Sequence, residues 1–368
     1  MAGSVRKRGA TWLFVVDVGR DEEGKRKQKF RGGFATKKAA EEGLRDFLNR
    51  LDSGFLPEAD KLTFDEYMKR WQEHHATQVE PKTMRRYAAL TRLYLLPRLG
   101  SLQLAKIRPA HVQGALDAID RAPATVRQAR AVASKAFRQA VAWQLIPVNP
   151  VAATDAPKAE RPDLDVPTAE GARRLMAEAQ GTLWEMPLFL AAFTGARRGE
   201  VLAIGWDQID FERGRVKITR SLERLDGVFR FKEPKTKRSR REIALPSVAV
   251  DRLRRWKAEQ AERRLVAGDA WHDFGLVCDR GDGQPIAPDS FSKAFKRLAR
   301  AVGAPDTRLH DLRHAAATLM MEAGVHPSVV SRSLGHASEA FTMQVYGHVR
   351  DEMLDKAADA IGEAYGAS

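Results

Sequence analysis

A single cysteine, Cys278, occurs in the 368 residues of this sequence. Its lack of a partner excludes an internal disulfide and any site built on two cysteines, the common zinc knuckles included, so a metal would need histidines and carboxylates. No apolar run approaches the roughly 18 to 20 residues of a membrane span, and the opening "MAGSVRKRGATW" lacks the apolar core of a signal peptide. The expectation is a cytoplasmic protein with no membrane partner. Internal repeats and low-complexity segments are missing too, which leaves ordinary globular domains, and a chain of this length suggests two or three.

What the sequence has in surplus is positive charge. Lys and Arg number 62 against 48 Asp and Glu, a formal net charge of +14. The surplus lies on a mixed-charge surface and not on one tail. Such a balance attracts polyanions, with nucleic acid ahead of anionic membrane.

Three modules can be read along the chain. In residues 1–57, "TWLFVVDVG" alternates like a strand, "GRDEEGK" offers a turn, "RKQKFRGGF" reads as a basic partner strand, and Ala40, Leu44, Phe47, Leu48 and Leu51 recur at helical spacing after Thr36. Lys25, Arg26, Lys27, Lys29 and Arg31 then line either a DNA-facing surface or an ordinary solvated hairpin. Residues 62–152 are helical throughout, with Thr63 as an N-cap, prolines opening later helices and Gly100 closing one, which makes a four-helix module. Its basic residues, among them Lys82, Arg85, Arg86, Arg127 and Arg130, suit a surface laid on a phosphate backbone, whereas the adjacent His74 and His75 point apart and read as surface or packing. Residues 153–166 lack an apolar period and read as a linker. Residues 167–368 open with two helices, pass through strands near "GRVKITRS" and "REIALP", and return to helices near Val248. The fold class is therefore α+β and multidomain: a small β-sheet with one helix, a four-helix module, and a mainly α domain carrying a small antiparallel sheet.

The residues able to carry chemistry lie in the last module. In "FTGARRGEVLAIGWDQID", Arg197 and Glu200 are three apart, so the carboxylate can brace the guanidinium as a phosphate clamp or form a plain surface ion pair. "FKEPKTKRSRREIALP" is drawn most simply as a β-hairpin whose tip carries Lys235 and Thr236, placed to enter a DNA groove or to donate a proton. In "RLHDLRHAAATLM", His310, Arg313 and His314 share one helical face. Metal, phosphate and packing are all open to them, although the "HExxH" glutamate of zinc hydrolases is Asp311 here and no third ligand is nominated by spacing. "RSLGHASEAFTMQVYGHV" adds His336 and Tyr346.

Together "TGARRGE", "PKT", "HDLRH", "LGH" and "VYGH" resemble, in order, the motifs of a tyrosine recombinase of the phage integrase family. Five motifs in sequence are far more specific than one. The motif-bearing region spans roughly the last 200 residues, and the two preceding modules fit the family's arm-type DNA-binding domain and helical core-binding (SAM-like) domain more loosely. The resemblance implies a site-specific recombinase that cleaves and rejoins DNA through a 3′-phosphotyrosyl intermediate, without metal, cofactor or ATP. It implies Arg197 and Arg313 as clamps, Tyr346 as nucleophile, Lys235 as general acid (with Lys232 or Lys237 as substitutes if the register shifts), His310 in proton transfer and His336 on the phosphate. Glu200 and His314 take supporting roles. The partners implied are double-stranded DNA with attachment-type sites, three further copies in a synaptic tetramer, and accessory DNA-bending or excision-directing proteins, for a phage or other mobile element in the bacterial cytoplasm. A type IB topoisomerase and a DNA-binding regulator without chemistry are the rivals. Leu354, Ala358, Ile361 and Tyr365 form an apolar stripe expected to dock on a neighbouring protomer, with its own domain as the alternative.

Overall fold

The computed structural model describes residues 3–20, 26–52, 61–158, 167–233 and 240–335. The chain divides into two compact units, Met1–Arg161 and Pro162–Ser368. Lys235, Lys237, His336, Tyr346 and the stripe from Leu354 to Tyr365 lie outside the described residues, as does Lys25.

In the first unit, antiparallel strands β1 (Gly3–Arg8), β2 (Thr11–Arg20) and β3 (Arg26–Phe34) lie side by side in that order, followed by helix α1 (Lys37–Asp52). Alternation along β2 turns Phe14 and Val16 inward. Phe14 meets Phe47 of α1 with ring centroids 5.4 Å apart, and the Thr36 hydroxyl accepts the amide of Ala39 as a cap. The expected strand pair and helix are present, with β1 as an additional strand.

The helical module contains α2 (Phe64–Ala76), α3 (Pro81–Leu90), a π-helical turn over Thr91–Leu95, α4 (Leu96–Leu99), α5 (Pro109–Asp117) and α6 (Pro123–Ala142). Thr63 and Glu66 close a reciprocal capping box on α2. The π turn has a local cause: Pro97 has no amide to donate and its ring crowds the carbonyl one turn back, so the helix widens just before it. Phe64 and Phe137 stack in the core, where Trp71, Leu95 and Leu99 are also buried. His75 is buried in a cluster with the rings of Trp71 and Tyr87, while His74 is exposed, so the pair points two ways.

The second unit opens with α7 (Ala169–Ala179), α8 (Glu185–Thr194) and α9 (Arg198–Val201). Strands β4 (Ile209–Asp210), β5 (Arg215–Ile218), β6 (Ser221–Leu225), β7 (Val228–Lys232) and β8 (Arg241–Ala244) follow, then α10 (Ser247–Ala267), α11 (Pro288–Ala301), α12 (Asp311–Glu322) and α13 (Pro327–Leu334). β4, β5 and β8 make one antiparallel sheet, and β6 with β7 a separate hairpin. The two-residue turn Asp226-Gly227 has φ of 53° and 81°, the left-handed pair that a twisted hairpin requires.

The two strands expected near Arg215 and Arg241, β5 and β8, pair with each other. Between them in sequence lies the separate β6–β7 hairpin, so β7 is the strand that immediately precedes the basic run. Lys235 and Thr236, expected at the hairpin tip, lie outside the described residues. The core, including Leu188, Val201, Val216, Phe291, Phe295 and Leu312, packs the helices against both sheets. No helix among the described residues is long and apolar enough to cross a membrane.

Candidate phosphate-binding site

The site grows from the end of α8. The Thr194 hydroxyl donates to the Leu190 carbonyl and accepts the Ala196 amide, while Gly195 adopts φ +56° and reverses the chain. A side chain at Gly195 would have no room: its Cβ would stand 2.5 Å from Leu334 Cδ2 and 3.2 Å from Ala316 Cβ. The turn is thus seated on α12 and α13. From α12, Arg313 donates Nη1–H to the Gly195 carbonyl at 2.9 Å; Arg313 is 3% exposed.

Two residues on, Arg197 is the N-cap of α9. Its amide donates to Glu200 Oε2 at 2.8 Å, its Nη1 to Glu200 Oε1 at 3.0 Å, and its Nη2 to the Gly335 carbonyl at 2.9 Å. With its side chain 44% exposed, the fixed guanidinium still has N–H groups to offer outward. Glu200 is buried, not a surface partner, and is shared with Arg241 of β8, whose Nη2 reaches Oε2 at 2.8 Å. Burial pushes the Glu200 carboxyl up, but hydrogen bonds and charge from Arg241 and Arg197 outweigh it and hold the group below the usual range.

His310 precedes α12 and is exposed, its ring edge-on to that of His314 at 5.1 Å between centroids. Partial desolvation, with the charges of His314 and Arg313, pushes His310 below the ordinary histidine value against the opposing pull of Asp311. His314 is buried on the inner side of the helix. The two rings therefore do different work, and among the described residues they join no cluster of His, Cys, Asp or Glu able to hold a metal. Asp311 instead accepts the Arg308 amide and two bonds from the Arg308 guanidinium, at 2.7, 3.1 and 2.9 Å. Arg197 and His310 both line one cavity of about 620 Å³, with Arg198, Lys296 and Arg308 adding positive charge. Arg197 and His310 thus share a cavity, while Arg313, which does not line it, holds the Gly195 carbonyl beside Arg197.

Of the lysines considered as acids, Lys232 is described, and its Nζ forms an ion pair with Glu223 at 2.7 Å. Gly335, whose carbonyl Arg197 holds, immediately precedes His336. In the sequence Arg241 is indistinguishable from its neighbours, because it sits in a dense basic run that reads as solvated. Only its place in a β5-paired strand, with alternate residues facing inward, marks it as different.

The surfaces expected to meet DNA divide. In β3, Lys29 stands opposite Val16 and Arg31 opposite Phe14, the inward-facing residues of β2, whereas Gln28 and Phe30 stand opposite Asp17 and Val15. Lys29 and Arg31, two apart, therefore share the face of Phe14 and Val16. The outward face instead carries Phe30, 71% exposed, and Arg6, opposite Leu13. On the helical module Lys82, Arg85 and Arg86 are exposed, with Arg86 bonded to Gln128. Arg130 is occupied: it donates to Thr154 Oγ1 and to the carbonyls of Val151 and Thr154. Arg127 donates to the Lys158 carbonyl at 3.0 Å. Both hold the chain leaving the module.

A model of the phage integrase family matches residues 168–353, an arm DNA-binding domain model matches residues 4–51, and a phage integrase N-terminal SAM-like domain model matches residues 63–119. The chain is 28% identical over 353 residues to an integrase of Streptomyces ambofaciens, a match covering 91% of this chain and 88% of that protein. It is 26% identical over 376 residues to a tyrosine recombinase XerC-like protein of Caldanaerobacter subterraneus subsp. tengcongensis, covering 95% of each. A lambda integrase tetramer bound to a Holliday junction has a similar fold, with TM-score 0.58 and 21% identity over 91% of this chain and 96% of that one.

Proposed function

This chain belongs to the phage integrase family of tyrosine recombinases, and we propose that it cuts and rejoins double-stranded DNA at defined sites through a 3′-phosphotyrosyl link made by Tyr346. The observation that carries the reading is the placement of two guanidiniums around one glycine turn, Arg313 on the Gly195 carbonyl and Arg197 two residues further on, with His310 lining one cavity together with Arg197. Attack on a phosphodiester builds negative charge on the non-bridging oxygens, and fixed cationic donors stabilise that charge without reorganising during the step.

In the step, the Tyr346 oxygen bonds to phosphorus and its proton passes to His310, which its depressed pKa keeps neutral and able to accept. The bond from phosphorus to the 5′-oxygen breaks, and Lys235 protonates that oxygen. His336 donates to the phosphate. One phosphoester replaces another, so a 5′-hydroxyl from a second strand can reverse the exchange without ATP.

In this reading residues 1–57 bind arm-type DNA, residues 62–152 bind the core site, and residues 167–368 carry the chemistry in the cytoplasm. Four copies assemble on two duplexes, with accessory DNA-bending proteins setting direction, and the work is integration or excision of a mobile element. The experiment is covalent capture: the full chain is incubated with a randomised pool of nicked duplexes in chelator, denatured with detergent, and the DNA bound to protein is sequenced. A site-enriched adduct, absent in Tyr346→Phe, is the expected result; an adduct that survives that substitution or requires a divalent metal defeats the proposal. Strand exchange between two duplexes, as opposed to relaxation of one, separates recombinase from topoisomerase.

A further inference from the structure

We propose that Arg241 is a positioning residue for strand cleavage, because it locks Glu200, and through it Arg197, to the end of α13 from which His336 follows. The inference rests on the recombinase reading above. Although Arg241 lies in a basic run that looks made for DNA, its side chain is 3% exposed.

Glu200 is gripped from two sides. Its Oε1 accepts from Arg197 Nη1 at 3.0 Å and from Arg241 Nη1 at 3.3 Å. Its Oε2 accepts the Arg197 amide at 2.8 Å and Arg241 Nη2 at 2.8 Å. Each guanidinium also reaches the cap of α13: Arg241 Nε donates to the Ser333 carbonyl at 2.8 Å and Arg197 Nη2 to the Gly335 carbonyl at 2.9 Å. The contacts close a ring through β8, α9 and α13. Gly335 fits this arrangement closely, with φ +67° and a hypothetical Cβ 3.2 Å from Arg241 Cδ and Nη1.

A planar fork is needed at this position. Arg241 serves two carboxylate oxygens and a carbonyl in three directions at once, which the single ammonium of lysine cannot reproduce. The buried Arg241–Glu200 pair is weak as a source of stability, since desolvation offsets most of its attraction. Its geometric consequence is larger: with Arg241 removed, Glu200 keeps Arg197 as its charged partner among the described residues, while α13 offers only backbone carbonyls to the ring. Burial then raises the carboxyl, and a protonated Glu200 no longer fixes Arg197 toward the phosphate.

The test uses the full chain and a nicked duplex of the sequence recovered by covalent capture. Site affinity and the single-turnover rate of adduct formation are measured for the parent, Arg241→Lys and Arg241→Gln from acid to neutral pH. The expected result is affinity within about twofold of the parent and an adduct rate lower on the order of a hundredfold, the scale for a misplaced catalytic group. Both variants should also gain an acid limb, a rate that falls further as pH falls, and adding Glu200→Gln to Arg241→Gln should remove that limb. Parental rates in both variants, or rate and affinity falling in parallel, would overturn the inference. So would loss of a cooperative unfolding transition in both, since Arg241 would then be a structural member of the fold. Absence of an adduct with the parent protein defeats the recombinase reading instead.

Discussion

Arg313 donates to the carbonyl of Gly195 at 2.9 Å, across 118 residues of sequence, and the glycine can offer that carbonyl because it sits at φ +56°. The left-handed turn and the guanidinium are therefore one device. Substituting Gly195→Ala should cost about 1 to 3 kcal/mol or more, from the strained φ and from a Cβ pressed onto Leu334. Denaturant midpoints check the stability, and adduct formation should fall with it. A variant of parental stability and rate would show that the turn is not held by close contact.

The paired histidines predict an acid-sensitive fold. Burial holds His314 below the ordinary value of 6.5, with Arg313 and Arg308 adding to the effect against Asp311, and His310 shifts in the same direction. The unfolded chain binds these protons more readily, so their contribution to stability is full above about 6.5 and is lost as pH falls through the lower folded values. His314→Gln should flatten the acid side of a plot of denaturant midpoint against pH. An unchanged slope would assign the acid sensitivity to other groups.

Two classes of arginine on the helical module should behave differently. Arg130→Ala removes bonds to Val151 and Thr154 and should lower stability while leaving the salt dependence of DNA binding alone. Arg85→Ala, at an exposed position, should leave stability unchanged and reduce the slope of log affinity against log salt by about 1. A lower slope with Arg130→Ala would restore it to the DNA-contacting set.

Phe30 projects from the outward face of β3 and contributes little to the core. Phe30→Ala should leave thermal unfolding in place and weaken binding to arm-type DNA, measured against the core site as internal control. Equal binding at both sites would move the DNA-facing surface elsewhere on the sheet.

Strand, helix and cap positions were readable where the signal is local. Thr63 caps α2, alternation in β2 sets its inward face, and the motif spacing gives the neighbours of Arg197 and His310. The third strand of the first sheet was less evident, because "SVRKR" is mostly charged and β1 buries little. The β6–β7 hairpin was also missed, because its strands are short and its basic residues read as part of the run that follows.

By itself the sequence determined the class of chemistry. Arg, His, Lys and Tyr motifs in one order are short strings whose spacing survives any arrangement of the rest, and net positive charge names a polyanionic partner without a fold. Which cations serve the phosphate and which serve the protein was decided only in three dimensions. Arg241 and Arg130 look in the sequence like any other member of a basic stretch, yet one is buried on Glu200 and the other is bound to the chain leaving α6. The reason is that a guanidinium's role depends on the acceptors it meets. Those acceptors, the carbonyls of Gly195, Ser333 and Gly335 among them, come from segments about a hundred residues away that only folding brings together.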